Sequence, residues 1–76
     1  MPNNKTLAEM RAAIVAHIEK LEAKSDMLLD KFYEYRKSHK MVRVNNCKFK
    51  IRDCWHAIAV AKVDLEEFDN IVKRYA

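Results

Sequence analysis

Residues 7–39 read LAEMRAAIVAHIEKLEAKSDMLLDKFYEYRKSH, and this stretch decides the fold. Within it, mainly apolar residues recur at alternating spacings of three and four, the period of one face of an α-helix. Only Arg11 interrupts this seam, and no helix-breaking residue appears before Asn45. The pattern predicts a first helix over about 7–39, roughly 50 Å long at 1.5 Å per residue. The seam positions are Leu7, Ile14, Ile18, Leu21, Ser25, Leu28, Phe32, Tyr35 and His39.

The start of this helix carries a capping box, Thr6-Leu-Ala-Glu9. The Thr6 hydroxyl can accept a hydrogen bond from the Glu9 amide, while the Glu9 side chain reaches back to the cap. At the other end, Arg36, Lys37 and Lys40 fall in or near the last turn, where cations interact favourably with the helix dipole.

A second seam with the same spacing predicts a second helix over about 54–75. Asp53 is suited to be its N-cap, and Lys73 and Arg74 suit its C-terminal end. The seam positions are Cys54, Ile58, Ala61, Leu65, Phe68, Val72 and Tyr75.

The segment between the two predicted helices, residues 40–52, changes period. From Val42 to Ile51 apolar residues alternate with basic ones about an Asn45-Asn46 pair. Asparagine tolerates left-handed backbone angles, so a small β-hairpin with a two-residue turn is one interpretation of this segment. An irregular basic connector is the other. Either way, the predicted fold is all-α, an antiparallel two-helix coiled-coil hairpin forming a single domain over residues 1–76.

Pairing the two seams so that residue numbers sum to 93 sets large side chains against small ones, as interdigitated packing requires. The resulting pairs are Tyr35/Ile58, Phe32/Ala61, Leu28/Leu65, Ser25/Phe68, Leu21/Val72 and Ile18/Tyr75. In this register the start of the first helix projects beyond the second, and the second helix is apolar on more than one side. Exposed apolar surface usually marks an interface. We therefore expect a homodimer forming a four-helix bundle, of undetermined orientation, with an interface at Leu7, Met10, Ile14, Val60, Val63 and Ile71.

Charge is distributed unevenly along the chain. From residue 36 to residue 52 there are seven Lys/Arg and no Asp/Glu, whereas the other positions hold 8 Lys/Arg against 11 Asp/Glu. The net charge of +4 therefore conceals a segment of +7 within a remainder of −3. Such a segment attracts phosphates or an acidic protein surface. The predicted binding residues are Arg36, Lys37, Lys40, Arg43, Lys48, Lys50 and Arg52.

Composition argues against catalysis and against a cofactor. The chain contains no glycine, which removes phosphate-cradling loops, dinucleotide fingerprints and nucleophile elbows. Cys47 and Cys54 with His39 and His56 match no common zinc spacing, and the cysteines fit small buried apolar residues better than nucleophiles. We expect no metal and no cofactor. The sequence also shows no signal peptide or membrane span, which favours a cytoplasmic protein with reduced thiols.

Two functions are consistent with these features of the sequence. The first is a small non-enzymatic regulator whose basic segment contacts nucleic acid, by backbone or structured-RNA binding, because no helix-turn-helix is present. The second is a protein-binding adaptor or inhibitor that uses the basic segment and the exposed apolar helix faces. A solvated connector that only keeps a dimer soluble is the simpler interpretation of the same charges.

Overall fold

The computed structural model describes residues 6–75, which form an antiparallel hairpin of two α-helices. Helix α1 covers Leu7–Lys37 and helix α2 covers Met41–Tyr75, and a three-residue turn joins them. The hairpin measures 54 × 24 × 18 Å. The predicted all-α helical hairpin is confirmed, although residues 1–5 and 76 of the expected domain lie outside the described part. In residues 6–75 no helix is long and apolar enough to cross a membrane.

Thr6 caps the N-terminus of α1, which confirms the part of the predicted capping box in which its hydroxyl accepts from Glu9. The backbone N–H of Glu9 donates to the Thr6 hydroxyl oxygen at 3.1 Å, and the N–H of Met10 donates to the Thr6 carbonyl at 3.0 Å. Thr6 itself is extended, with φ −71° and ψ 162°, as an N-cap residue should be.

The turn after α1 is built without glycine. His39 adopts a left-handed backbone with φ 56°. The N–H of Lys40 then donates to the Tyr35 carbonyl at 3.0 Å, and the N–H of His39 donates to the Arg36 carbonyl at 3.2 Å. These two bonds define a Schellman motif, in which glycine is the usual left-handed residue. The expectation that α1 runs to residue 39 with His39 in the seam is therefore wrong, because His39 is the exposed turn residue.

The basic connector predicted over residues 40–52 is wrong, and so is its β-hairpin version. Helix α2 begins at Met41 rather than at residue 54. In a helix Val44, Cys47 and Ile51 continue the three-and-four spacing of the second seam, and all three are buried. Two isolated short strands would leave their backbone groups and one face without partners, whereas the helix satisfies its backbone and buries these residues against α1.

The register also differs from the predicted one. The thiol of Cys47 donates to the Leu28 carbonyl and the thiol of Cys54 donates to the Leu21 carbonyl, both at 3.1 Å. Residue numbers in these pairs sum to 75, not to 93. Leu28 thus packs against Cys47 rather than Leu65.

The core follows the two seams. Leu28, Cys47, Ile51 and Cys54 form its buried centre, and the partly buried Leu21, Leu29, Phe32, Tyr35 and Ile58 pack around it. No described side chain is less than 2% exposed, as expected when only two helices enclose a core. The α2 seam consists of Val44, Cys47, Ile51, Cys54, Ile58, Ala61, Leu65, Phe68 and Val72.

At the open end of the hairpin the two helices are joined by a salt bridge. The guanidinium group of Arg11 donates to both carboxylate oxygens of Asp69, at 3.0 and 3.3 Å. These hydrogen bonds, with the charge of Asp69, raise the pKa of Arg11 above its ordinary value. The position of Asp69 also shows that α2 runs past Ile14. The predicted overhang of residues 7–14 is therefore wrong, because starting α2 at Met41 makes it long enough to flank all of α1.

Candidate functional site

All seven predicted basic residues lie at the closed end of the hairpin. They come from the last turn of α1, from the turn itself and from the first three turns of α2, and each is exposed. We call this surface, Arg36, Lys37, Lys40, Arg43, Lys48, Lys50 and Arg52, the basic end. Because residues 41–52 are helical, its cations are held at fixed spacings over roughly 17 Å of helix instead of on a mobile connector.

Among residues 6–75, no side chain of the basic end forms a salt bridge. The salt bridge within the described residues joins Arg11 to Asp69 at the opposite end of the hairpin. Helix α2 also has no acidic residue in its first turn, and Arg43 lies there instead. The N-terminus of a helix carries partial positive charge, so cations at this position are unfavourable. A bound anion would relieve that repulsion.

One side of the basic end is a cleft between the helices that we call the Arg43 edge. Arg43, Lys50 and Asn46 of α2 line it together with Lys31 and Tyr35 of α1. The Arg43 guanidinium carbon lies 5.7 Å from the centre of the Tyr35 ring, within the range of a cation–π contact. This contact restrains the Arg43 side chain while leaving its charge exposed.

Two lysines of α1 that are not among the predicted binding residues belong to this side. Lys31 lines the cleft of the Arg43 edge, and Lys24 lines the neighbouring cleft with Lys50 and Asp53. Lys24 and Lys31 are seven residues apart and therefore share one face of α1. Their spacing in the sequence indicates that they share one face of α1, but only the observed register places that face beside Lys50.

The other side of the basic end, which we call the Lys48 edge, combines cations with aromatic rings. Arg36 and Lys48 line one cleft there, and Lys48 and Arg52 line the next one with Phe32 and Trp55. Cations beside exposed ring surfaces are the combination used to bind single-stranded nucleic acids. The basic end therefore consists of two edges on opposite sides of the core seam rather than one continuous patch.

Trp55 is fixed at the rim of the Lys48 edge. Its indole N–H donates to the Ser25 hydroxyl at 2.7 Å, and the residue is 53% exposed. This bond also explains the serine in the α1 seam, because Ser25 is buried and would otherwise lack a hydrogen-bond partner. The predicted pairing of Ser25 with Phe68 is wrong for the same reason. Trp55 thus offers an oriented ring surface, half packed and half open to solvent.

Cys47 and Cys54 are free, buried thiols. Each donates to a carbonyl of α1, and they are seven residues apart on one helix, about 10 Å along its axis and beyond the span of a disulfide. Their role is in packing. Among the described residues no group of three or more His, Cys, Asp or Glu side chains is arranged to hold a metal ion.

The residues of the predicted dimer interface come from both helices. Val60, Val63 and Ile71 are exposed on α2, on the side away from α1. Leu7, Met10 and Ile14 lie near the start of α1, where Leu7 and Met10 are exposed and Ile14 is partly buried.

Comparison of the chain with family models, with curated proteins and with solved structures found no match in any of the three. We therefore infer the function from the chemistry of the basic end.

Proposed function

We propose that this chain is a small non-enzymatic binding protein whose basic end contacts the phosphate backbone of a nucleic acid. The observation that carries the proposal is the collection of seven exposed cations at one end of a rigid hairpin, none of them in a salt bridge within residues 6–75. Phosphate contacts of this kind supply most of the affinity of sequence-independent binding.

The two edges support nucleic acid over an acidic protein as the partner. The Arg43 edge offers cations and an amide, which suit phosphate and sugar oxygens. The Lys48 edge adds Phe32 and Trp55, on which an unstacked base can lie. Single-stranded or looped RNA presents both phosphates and unstacked bases, so structured RNA is the substrate class that fits best. We also propose a cytoplasmic location, which the two free thiols favour.

A protein-binding adaptor or inhibitor is the second candidate, and the exposed apolar side of α2 favours it. In that case the basic end would contact an acidic patch on the partner. Self-association into a four-helix arrangement is a separate proposal that depends on the same apolar side and not on the basic end.

The test is fluorescence anisotropy with labelled RNA hairpins, single strands and duplex DNA over a salt series. The wild-type chain is compared with Arg43→Glu/Lys48→Glu/Lys50→Glu, which reverses charge on both edges. The matched control is Lys20→Glu/Lys62→Glu/Lys73→Glu, which changes net charge equally but lies away from the basic end. Helix content of all three is checked by circular dichroism.

We expect micromolar or tighter binding that weakens steeply with salt, is lost in the first variant and is retained in the control. The tighter of the RNA and DNA affinities then identifies the class of nucleic acid that the chain binds. Equal loss in both variants would show that only net charge matters and would refute the basic end as a site. No binding at low salt would end the nucleic-acid proposal and leave the protein-binding candidate.

A further inference from the structure

Cations from both helices line the cleft of the Arg43 edge. Arg43 and Lys50 come from α2, Lys31 comes from α1, and the Asn46 side chain adds an amide that can donate hydrogen bonds. The other lining side chains are uncharged, so within residues 6–75 no carboxylate lines this cleft. Glu34 follows Lys31 by three residues on α1 but is not part of the lining. The cleft is therefore suited to an anion.

The donors of this cleft are spaced for one small anion. Arg43 and Lys50 are seven residues apart on one side of α2, about 10 Å along its axis, and Asn46 lies between them. Lys31 lines the cleft from the other helix. The cleft has a volume of about 230 Å³, roughly that of eight water molecules at about 30 Å³ each. A phosphate group fits in this space.

The contact with Tyr35 prepares Arg43 for such a ligand. The guanidinium carbon lies 5.7 Å from the centre of the Tyr35 ring, and within residues 6–75 the guanidinium group forms no salt bridge. A guanidinium group can donate two parallel hydrogen bonds to one phosphate, and lysine ammonium groups add charge beside it. Restraining the arginine in advance lowers the entropy cost of that contact.

The run of unopposed cations ends at Lys50 on the side towards the open end of the hairpin. Lys50 also lines the next cleft along this edge, but Asp53 and Lys24 lie there together, so their charges offset each other. A phosphate backbone that continued along this edge would meet the Asp53 carboxylate, which repels it. In the other direction the edge leads to the turn and to the remaining cations of the basic end. This arrangement favours a strand that ends at the Arg43 edge over one that passes through it.

We infer that the Arg43 edge holds the terminal phosphate of a nucleic-acid strand, which is a phosphate monoester at the 5′ or the 3′ end. A monoester carries a charge of about −1.5 to −2 at pH 7, whereas an internal phosphodiester carries a single negative charge. Three cations without a carboxylate in the same cleft favour the more highly charged group. From this anchor the strand crosses the turn towards Phe32 and Trp55 of the Lys48 edge.

This inference rests on the proposed function, because it names which phosphate of the nucleic acid the basic end holds. It also adds Lys31 to the binding residues. Contacts to internal phosphates alone would not distinguish strands that differ only at their ends, so the inference predicts a preference that backbone binding lacks.

The test uses one unlabelled RNA sequence with a hydroxyl at both ends, with a 5′ phosphate or with a 3′ phosphate. Each RNA competes with a labelled RNA for the wild-type chain, and fluorescence anisotropy gives its affinity. A hydroxyl-ended RNA that is two nucleotides longer has about the same total charge as the phosphorylated ones and controls for net charge. We expect one of the two phosphorylated RNAs to bind about tenfold or more tightly than the hydroxyl-ended RNA of either length. The RNA that does so identifies which end of the strand is held.

Two matched double variants locate this preference. Lys31→Gln/Arg43→Gln removes two cations from the cleft and should reduce the preference to about twofold or less. Lys48→Gln/Arg52→Gln removes two cations from the Lys48 edge, so it should weaken binding of every RNA while the preference is retained. Circular dichroism checks that both variants keep the helix content of the wild type.

Each negative result has its own meaning. Equal affinities of the phosphorylated and hydroxyl-ended RNAs, or a longer hydroxyl-ended RNA that binds as tightly as the phosphorylated ones, would overturn the inference and leave the proposed function intact. A preference that persists in Lys31→Gln/Arg43→Gln would also overturn it, because the terminal phosphate would then lie elsewhere. No binding of any RNA at low salt would refute the proposed function and this inference with it.

Discussion

Leu28→Ala tests whether the core of the hairpin is where the structure places it. Leu28 is 6% exposed and packs in the buried cluster with Cys47 and Ile51. The substitution removes three carbon atoms, worth about 2.4 kcal/mol at about 0.8 kcal/mol per buried methylene. A cavity term is added, and buried Leu→Ala changes typically cost about 2–5 kcal/mol. Because a two-helix core can partly collapse, we expect a loss of about 2.5–3.5 kcal/mol.

That loss would be large for a chain of this size. At about 0.05–0.15 kcal/mol per residue, the total free energy of unfolding is on the order of 4–11 kcal/mol. The adjacent Met27 is 50% exposed and provides the matched control, since Met27→Ala should cost less than about 1 kcal/mol.

The assay is urea unfolding followed by circular dichroism, at two protein concentrations a factor of ten apart so that dimerisation is accounted for. A Leu28→Ala loss below about 1 kcal/mol, or a loss equal to that of Met27→Ala, would refute the packing described for the seam.

Three further outcomes follow from particular contacts. His39→Gly should stabilise the chain by about 1 kcal/mol, because glycine adopts the left-handed turn conformation without strain. The control Ser38→Gly should give no such gain. Unfolding midpoints compare the two variants, and no gain at His39 would argue against the Schellman motif. Asn45→Ala with Asn46→Ala should add about 1 kcal/mol, since alanine is the better helix former; a loss in the same unfolding assay would indicate that the pair forms a turn. Trp55 fluorescence should change on adding single-stranded RNA if bases lie on the Lys48 edge; an unchanged spectrum at saturation would exclude stacking there.

The sequence predicted α1 and its cap almost completely, because one seam, one capping box and no glycine or proline all agree. The second helix was predicted from residue 54 only, although Ile51, Cys47 and Val44 extend its seam backwards at spacings of three, four and three. The same residues also fit a strand of period two, and the Asn45-Asn46 pair suggested a turn. Continuity of the seam was the decisive signal.

The predicted pairing of the two helices is wrong because of the same interpretation of the Asn45-Asn46 pair as a turn. Pairs that sum to 93 place the turn near residue 46, at the asparagine pair. The observed turn lies at residues 38–40 and the observed pairs sum to 75, so the pairing is shifted by 18 residues, about five helical turns. The correct register brings Lys24 and Lys31 beside Lys50 and covers the start of α1 with α2. Local spacing therefore predicted α1 and the later part of α2, but not which surfaces meet.

A helical basic end has a functional consequence that a connector would lack. The backbone positions of these cations are fixed on two packed helices, so the phosphate contact we propose would cost less conformational entropy than ordering a loop. The cation–π contact of Arg43 with Tyr35 and the hydrogen bond of Trp55 to Ser25 order one side chain on each edge.

The slope of log Kobs against log salt concentration for RNA binding tests the central claim most directly. It measures how many phosphates the chain neutralises. Arg43→Gln and Lys50→Gln should each make the slope shallower by about one unit, whereas Lys62→Gln, away from the basic end, should leave it unchanged. Equal slopes in all three variants would contradict the assignment of the basic end as the phosphate-binding surface.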